Sequence, residues 1–365
     1  MKSGRIRIGV SGLGRVGWPF HCAQAAAHPE FEFVAVQDPE AERRKEAERV
    51  YGVRSFESFT AMLRDSRLDA VAIATPTHLH RSMTVEALRA GCHVMLEKPM
   101  TPDSADAAAI VREAARRKRI LTVYQPRRAA AYFQQLKALI ASGIVGDVYH
   151  VRIGLYQFSM RNDWQALRKF GGGMLNNYGA HALDQLLQLV GYDVKRLFCS
   201  LRRVASVGDA EDVVKVVLET AGGAIGEVDI NQASAVNPGY LTVWGSRGCI
   251  TLRSEYEGGF VVRHIAARAV RPRKLHPALA SAGRRYPDGD LPFSESAIPV
   301  DESLAVDVYA DLARAIRTGR QPFVRPEEPL ALMRLIDRCR AESGRIVSTP
   351  LYGPSKAGRR RRPRS

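Results

Sequence analysis

The glycine spacing near the start of the chain constrains the fold more than any other feature. Arg5–Val10 alternates apolar residues (Ile6, Ile8, Val10) and runs into Gly12-Leu13-Gly14-Arg15-Val16-Gly17, a G-x-G-x-x-G. Each glycine has a mechanical task. The first permits a tight strand-to-helix turn, the second lets a pyrophosphate approach the backbone, and the third lets helix pack closely on strand. The N–H groups that open such a helix, together with its dipole, bind phosphate. The hexapeptide is common by itself, but here it follows an expected strand, precedes an apolar helical stretch from Val16 to Ala27, and is answered by an acid. Phe33–Val36 reads as a second buried strand, and Asp38 stands about twenty residues past Gly17, where a carboxylate accepts from a ribose 2′-OH. A glycine turn followed by a helix-capping Asp38 is the plain structural alternative.

Strands then alternate with helices. Helices are expected at Pro39–Tyr51, Ser58–Arg64, His80–Ala90 and Asp103–Arg117; strands at Asp69–Ala74, Cys92–Leu96 and Ile120–Tyr124, with Gly52–Phe56 as a connection. This rhythm means a doubly wound parallel sheet, whose ligands bind beyond the carboxyl ends of the strands. From Gly146 the rhythm changes. Val148–Tyr156, Lys195–Val204, Val213–Thr220, Ala224–Asn231, Tyr240–Trp244 and Cys249–Leu252 read as strands without crossover helices, with hairpins at Gly222-Gly223 and Ser246-Arg247-Gly248. Two helices, Ser303–Arg317 and Pro326–Ser343, follow a poorly patterned stretch from Ala266 to Pro299. The expected organisation is an α/β dinucleotide-binding domain over residues 1–125, an α+β substrate domain with an open antiparallel sheet over 126–350, and a basic tail over 353–365.

Composition narrows the functional classes. The chain has 365 residues with 45% hydrophobic and 25% charged content, as in ordinary soluble globular proteins. It lacks both an apolar run of about 18 residues and a signal-peptide core, so a cytoplasmic protein with no membrane partner is expected. Cys22, Cys92, Cys199, Cys249 and Cys339 are scattered without a C-x-x-C, and His78 and His80 have no third ligand at a suggestive spacing; reduced thiols and no metal are expected. The net charge of +16 is concentrated in Ser355–Ser365 and in Arg263–Arg285, neither of which holds an acid. The tail reads as a solvated, disordered end rather than a nucleic-acid arm, and the inner segment either as a solvated loop or as a face toward an anionic substrate.

Unusual residues gather at the expected sheet edge. Thr75-Pro76-Thr77-His78-Leu79-His80 follows one strand, with Thr77 placed to cap a helix; Glu97-Lys98-Pro99 follows the next, and Gln125-Pro126-Arg127-Arg128 the last. An ammonium at such a strand end can hydrogen-bond a substrate oxygen and stabilise charge developing on it. Read alone, Lys98 and either arginine are equally what solvated surface residues look like. Further on, Phe170–Asp184 opens an amphipathic helix on which Asn177 and His181 share a face. A histidine there suits proton transfer, although a lone histidine is more often structural.

The assembled motifs resemble the Gfo/Idh/MocA oxidoreductases: GLGRVG, ATPTHLH, EKP, QPRR, GGGMLNNYGAHALDQ and VWGSRGCITL, spread over nearly the whole chain. The resemblance implies a Rossmann domain followed by an open-faced sheet that supports homodimers or homotetramers, a cis bond before Pro99, and Lys98 with His181 as the catalytic group. It implies NAD, with NADP left open by Arg43 and Arg44, held by Gly12, Leu13, Gly14, Arg15, Val16, Gly17, Asp38, Thr75, Pro76, His80, Glu97, Lys98 and Gln125. Substrate contacts fall to Asn177, Arg127, Arg128 and Asp184. The expected activity is hydride transfer with a secondary alcohol or ketone of a sugar, sugar derivative or cyclitol, neutral or anionic. Two other classes stay open: a glycoside hydrolase using transient oxidation by tightly held NAD, and a non-catalytic dinucleotide sensor. One departure stands out. Many members carry aspartate four residues before the histidine, whereas Asn177 cannot take a proton.

Overall fold

A computed structural model describes residues 4–256, 258–270 and 291–351. The first unit is a six-stranded, wholly parallel sheet: β1 (Ile6–Ser11), β2 (Phe31–Gln37), β3 (Arg54–Phe56), β4 (Ala70–Ile73), β5 (His93–Glu97) and β6 (Leu121–Tyr124). Its order is β3-β2-β1-β4-β5-β6, so the winding direction reverses between β1 and β4. Ligands of such sheets bind in the crevice at that reversal. Every residue of β4 is fully buried, which accounts for its unbroken apolar run.

Three local readings are corrected. Gly17–Cys22 is π-helical and only Ala23–Ala27 is α-helical. Pro19 lacks an amide hydrogen, and His21 N reaches five residues back to Val16 O (3.4 Å). The Gly52–Phe56 connection contains the edge strand β3. Thr77 also caps nothing: it lies in a 3₁₀ turn, Thr77–Leu79, whose cap residues make no side-chain hydrogen bond.

The second unit has nine strands among the described residues: β7 (Val148–Tyr156), β8 (Val194–Arg203), β9 (Val213–Thr220), β10 (Ile225–Asn231), β11 (Leu241–Gly245), β12 (Gly248–Leu252), β13 (Gly259–Ile265), β14 (Phe293–Pro299) and β15 (Ile346–Ser348). Their order is β14-β13-β12-β11-β7-β10-β9-β8-β15. The sheet is mixed rather than purely antiparallel, because β10 pairs with β7 and β15 with β8 in parallel. β13, β14 and β15 were not expected from the pattern. Residues 271–290 of the poorly patterned stretch, and residues 352–365, which include the whole basic tail over 353–365, lie outside the described residues.

The helix expected at Ser303–Arg317 is broken. A 3₁₀ turn (Glu302–Leu304) precedes a helix over Val308–Thr318, whose start is capped by the Asp307 carboxylate accepting from Tyr309 N and Ala310 N, both at 2.9 Å. This helix returns to the first sheet, where Tyr309, Leu312 and Ala313 pack with Ile8, Val10, Phe31 and Val36. The last long helix, Glu327–Ser343, packs against β8 and against the helices Ser104–Arg117 and Gly179–Val190. Its buried Met333, Ile336 and Cys339 belong to an apolar core that continues from Val71 and Leu96 of the first sheet to Leu183 and Val216 of the second unit. Just past β6, Gln125 Nε2 donates to Ala180 O at 3.2 Å, which ties the carboxyl end of that strand to the Gly179–Val190 helix.

Candidate active site

The glycine loop divides its labour as the spacing requires. Gly12 has φ +87°, and a Cβ there would sit 2.7 Å from Ala74 O; a Cβ on Gly17 would collide with Gly12 O at 1.7 Å. A Cβ on Gly14 would meet nothing within 4 Å. Two glycines are therefore demanded by packing inside the protein, and the middle one leaves open space over the backbone. Asp38 fixes the loop: its Oδ2 accepts from Leu13 N (2.7 Å) and its Oδ1 from Glu40 N (2.9 Å). Arg43 approaches the same carboxylate at 3.4 Å, whereas Arg44 turns to the carbonyls of Asp38 and Pro39, both at 2.8 Å.

A cleft of about 720 Å³ runs from this loop to Lys98, lined by Gly12, Gly14, Arg15, Val16, Asp38, Thr75, Pro76, Glu97 and Lys98. Its other wall is Asp163, Trp164 and Gln165 of the second unit, and Arg15 crosses to Asp163 at 2.6 Å. An open glycine backbone with a carboxylate beside it fits a dinucleotide. Leu13 and Gly17 lie beneath the cleft surface. His80, expected against the cofactor, is behind it: the ring is buried and spans Pro99 O (Nδ1, 3.0 Å) and Thr75 O (Nε2, 2.9 Å), so it joins two strand ends. Gln125, likewise expected at the cofactor, instead serves His181.

Lys98 is placed by its neighbour. Glu97 Oε2 accepts from Lys98 N (3.0 Å), while Glu97 Oε1 meets His21 Nε2 (3.0 Å), and His21 Nδ1 in turn meets the Tyr309 hydroxyl (2.9 Å). The Lys98–Pro99 peptide is cis. Lys98 Nζ donates to Asn177 Oδ1 at 2.9 Å and to Asn177 O at 3.4 Å. Burial lowers this ammonium to a pKa of about 8; Glu97 opposes that, and the charges of Arg127 and Arg161 add to it.

The partner helix owes its start to a glycine. Gly173 has φ +107°, and a Cβ there would lie 2.2 Å from Glu211 Oε1. That oxygen accepts from Leu175 N (3.0 Å) and so supplies a carboxylate to the first turn of Met174–Asn177. Gly179–Val190 follows, bringing His181 one turn beyond Asn177. Gln125 Nε2 donates to Ala180 O (3.2 Å), so Gln125 Oε1 is the atom facing His181 Nδ1 at 3.2 Å. Nδ1 is therefore the donor, and Nε2 is left as the acceptor. Burial, then the charges of Lys98 and Arg127, hold the imidazole well below its ordinary pKa, hence neutral.

The two arginines part company. Arg128 and Asp184, expected to touch substrate, are spent on each other instead. Their side chains are 2% exposed, Arg128 Nε donates to Asp184 Oδ2 at 2.9 Å, its Nη2 bonds Oδ1, and its Nη1 reaches Glu328 at 2.7 Å. Arg127 reaches Glu255 at 2.6 Å, lies over the Tyr178 ring at 5.4 Å, and lines a cavity of about 420 Å³ together with His181, Tyr132, Glu255 and Tyr256. Arg161, Glu255 and the Asp163–Gln165 wall carried no spacing signal. A larger cavity of about 940 Å³, between Pro102, Asn176, Arg203 and Arg340, contains neither Lys98, His181 nor the glycine loop. His78 packs on Phe170 at 5.1 Å, and no group of acids, histidines and cysteines suited to a metal exists among the described residues. All five cysteines are free, and no helix among the described residues is long and apolar enough to cross a membrane.

Comparison with known proteins agrees with this geometry. Residues 6–125 match the oxidoreductase-family profile of an NAD-binding Rossmann fold, and residues 133–251 match the GFO/IDH/MocA C-terminal domain. A scyllo-inositol 2-dehydrogenase (NADP⁺) of Bacillus subtilis is 29% identical over 52% of this chain and 53% of its own length. A myo-inositol 2-dehydrogenase of Thermotoga maritima is 27% identical over 67% of this chain and 74% of its own. The chain thus spans only about half the length of the first of these relatives. The crystal structure of an NAD-binding protein from Listeria innocua superposes with a TM-score of 0.81 at 26% identity, over 93% of this chain and 95% of that one. With both modules matched in order along the sequence, the chain belongs to the Gfo/Idh/MocA oxidoreductase family, whose N-terminal module is NAD-binding.

Proposed function

We propose that the chain is an NAD(P)-dependent dehydrogenase acting on a secondary alcohol, or the matching ketone, of a sugar, sugar derivative or cyclitol. One observation carries the reading: Lys98 Nζ is bonded to Asn177, one helical turn from a neutral His181 whose Nε2 is free to accept, at the end of a cleft fit for a dinucleotide. The loop Gly12–Gly17 would hold the diphosphate and Asp38 a ribose hydroxyl. Bound there, the nicotinamide supplies a hydride acceptor. Lys98, as the ammonium, donates to the reacting oxygen and stabilises the negative charge that develops on it. His181 Nε2 takes the proton of that oxygen. Asn177 cannot share the proton, so its role is to aim Lys98. The Asp38 carboxylate repels a 2′-phosphate and favours NAD, with Arg43 as the nearby cation that leaves NADP open. That the two bacterial relatives are inositol dehydrogenases supports the cyclitol end of this range. The reading includes self-association through the helix-free face of the second sheet, where Phe198 and Ile225 are exposed; a monomer in sedimentation would remove that part.

Lys98→Ala should retain NAD binding, followed by quenching of protein fluorescence, and lose about 100- to 1000-fold in kcat across a panel of inositols, hexoses and uronates. Unchanged turnover would end the assignment. Net NADH formation from a free polyol also separates this activity from glycoside cleavage, which leaves none.

A further inference from the structure

The cavity of about 940 Å³ beside Asn176 has no part in the hydride-transfer reading, and it shares no lining residue with the dinucleotide cleft or with the cavity at His181. Five cations line it: Arg168, Lys169, Arg203, Arg340 and Arg345. Two of them are pinned. Arg340 Nη1 donates to Pro102 O (3.0 Å) and Asp337 Oδ1 (2.8 Å), and its Nη2 to Asn176 Oδ1 (2.6 Å). Arg203 Nη1 donates to Gly208 O (2.9 Å) and its Nη2 to Ser348 Oγ (2.8 Å), so this guanidinium meets only uncharged groups. Arg168, Lys169 and Arg345 are exposed and take part in no ion pair among the described residues. The two acids of the wall are turned to backbone N–H groups: Asp209 Oδ1 accepts from Arg168 N (2.8 Å) and Glu211 Oε1 from Leu175 N (3.0 Å). With both acids and Asp337 set against the five cations, two positive charges are left over in one concavity. Like charges gathered in this way repel one another and draw in an anion.

We propose that this cavity is a second binding site, separate from the dehydrogenase cleft, and that its ligand is a phosphate monoester with a small organic body, such as a sugar phosphate or a nucleoside monophosphate. Charge supports the class, because a phosphate monoester carries close to two negative charges at neutral pH and so balances the excess. Donor chemistry supports it too: guanidinium forks match phosphate oxygens in shape, and an ammonium binds them as a point charge. Size argues for the organic body. A bare phosphate would leave most of the space unfilled, whereas small-molecule sites run to roughly 300–1,000 Å³. Pro102, Leu201 and Ile346 give that body an apolar wall.

The test is calorimetric titration of the full chain, saturated with NADH, with glucose 6-phosphate, AMP, inorganic phosphate, glucose and adenosine. Saturation with NADH keeps the nucleosides out of the dinucleotide cleft. Glucose 6-phosphate or AMP should bind about 10-fold or more tightly than its uncharged parent and than inorganic phosphate, and the tighter of the two identifies the organic body. Arg168→Gln combined with Arg345→Gln should weaken that binding by about 10-fold or more, with part of the loss in each single variant. Both positions are exposed and outside any ion pair among the described residues, so the fold should stand. Lys98→Ala should leave the affinity unchanged. Parents binding as tightly as the monoesters, or inorganic phosphate binding as tightly as either, would overturn the proposal. So would an affinity untouched by the double variant, or one lost in Lys98→Ala, which would put the ligand in the dehydrogenase cleft. Binding is read here without turnover, so failure of this site and failure of hydride transfer are told apart.

Discussion

The Gly179–Val190 helix has two charged surroundings that differ in kind. On one side lie Arg128, Asp184 and Glu328, a closed set in which the guanidinium meets both carboxylates and both members of the Arg128–Asp184 pair are 2% exposed. Elsewhere around it lie Lys98, bonded to the neutral Asn177 side chain, and Arg127, whose buried Nη1 has no hydrogen-bond partner. Arg127 and Arg128 are adjacent in sequence, and His181 and Asp184 are less than one turn apart, yet they fall into opposite regimes. The lesson is that balanced buried charge marks where this fold is fastened, and unbalanced charge marks where it receives something.

The largest expected effect tests the fastened side. Arg128→Leu leaves Asp184 buried without its cation, which should destabilise the chain by about 3–5 kcal/mol in urea unfolding. Arg127→Leu, opposite a Glu255 that borders an open cavity, should cost clearly less stability while lowering substrate affinity. The double variant Arg128→Leu with Asp184→Leu should recover much of the loss, because the buried Asp184 charge goes with its cation and Glu328 keeps Arg325 at 3.2 Å. Equal destabilisation by the two single arginine variants would erase the distinction between the two sides.

A second pair of variants contrasts a backbone-built site with this side-chain-built one. Gly17→Ala drives a Cβ into Gly12 O and should cost about 1–3 kcal/mol or more in stability, along with NAD binding. Gly14→Ala meets nothing in the protein, so its melting temperature should stay near that of the native chain while NAD affinity falls. A matching drop in melting temperature for Gly14→Ala would show that the middle glycine serves packing after all.

This contrast explains what could be read in advance. The glycine loop, Asp38 and the parallel sheet are legible because their geometry follows from the spacing of neighbours along the chain, whereas Lys98 and His181 stand out only through the family resemblance, each alone reading as an ordinary surface or structural residue. The division between Arg127 and Arg128 is not legible, because it is decided by Asp184 and Glu328, which reach the site from distant helices. His80 was assigned to the cleft because it ends a motif that lines it, but the turn Thr77–Leu79 swings its ring inward onto two carbonyls. The mixed pairing of the second sheet was hidden for a related reason: alternation reveals a strand but not its direction.

The smallest effect bears on Asn177, the one departure from the usual family pattern at the site. Lys98, lowered to about 8 by burial first, is an ammonium below that pH and loses its proton above it. Activity that depends on the ammonium should therefore decline as pH rises through about 8. His181, held well below its ordinary value, should keep the acid side flat through neutrality. Asn177→Asp would put a carboxylate where Oδ1 now accepts from Nζ at 2.9 Å. An opposite charge there favours the ammonium and should move the alkaline limb of kcat/KM upward by about one unit or more, each unit being roughly 1.4 kcal/mol. The same carboxylate favours imidazolium, so the acid limb should rise too, and the profile should shift as a whole. An alkaline limb that stays in place would mean that Lys98 is not the group titrating there. An asparagine at this position aims the ammonium without binding its proton more tightly, and so Lys98 can release that proton within the range of ordinary solution pH.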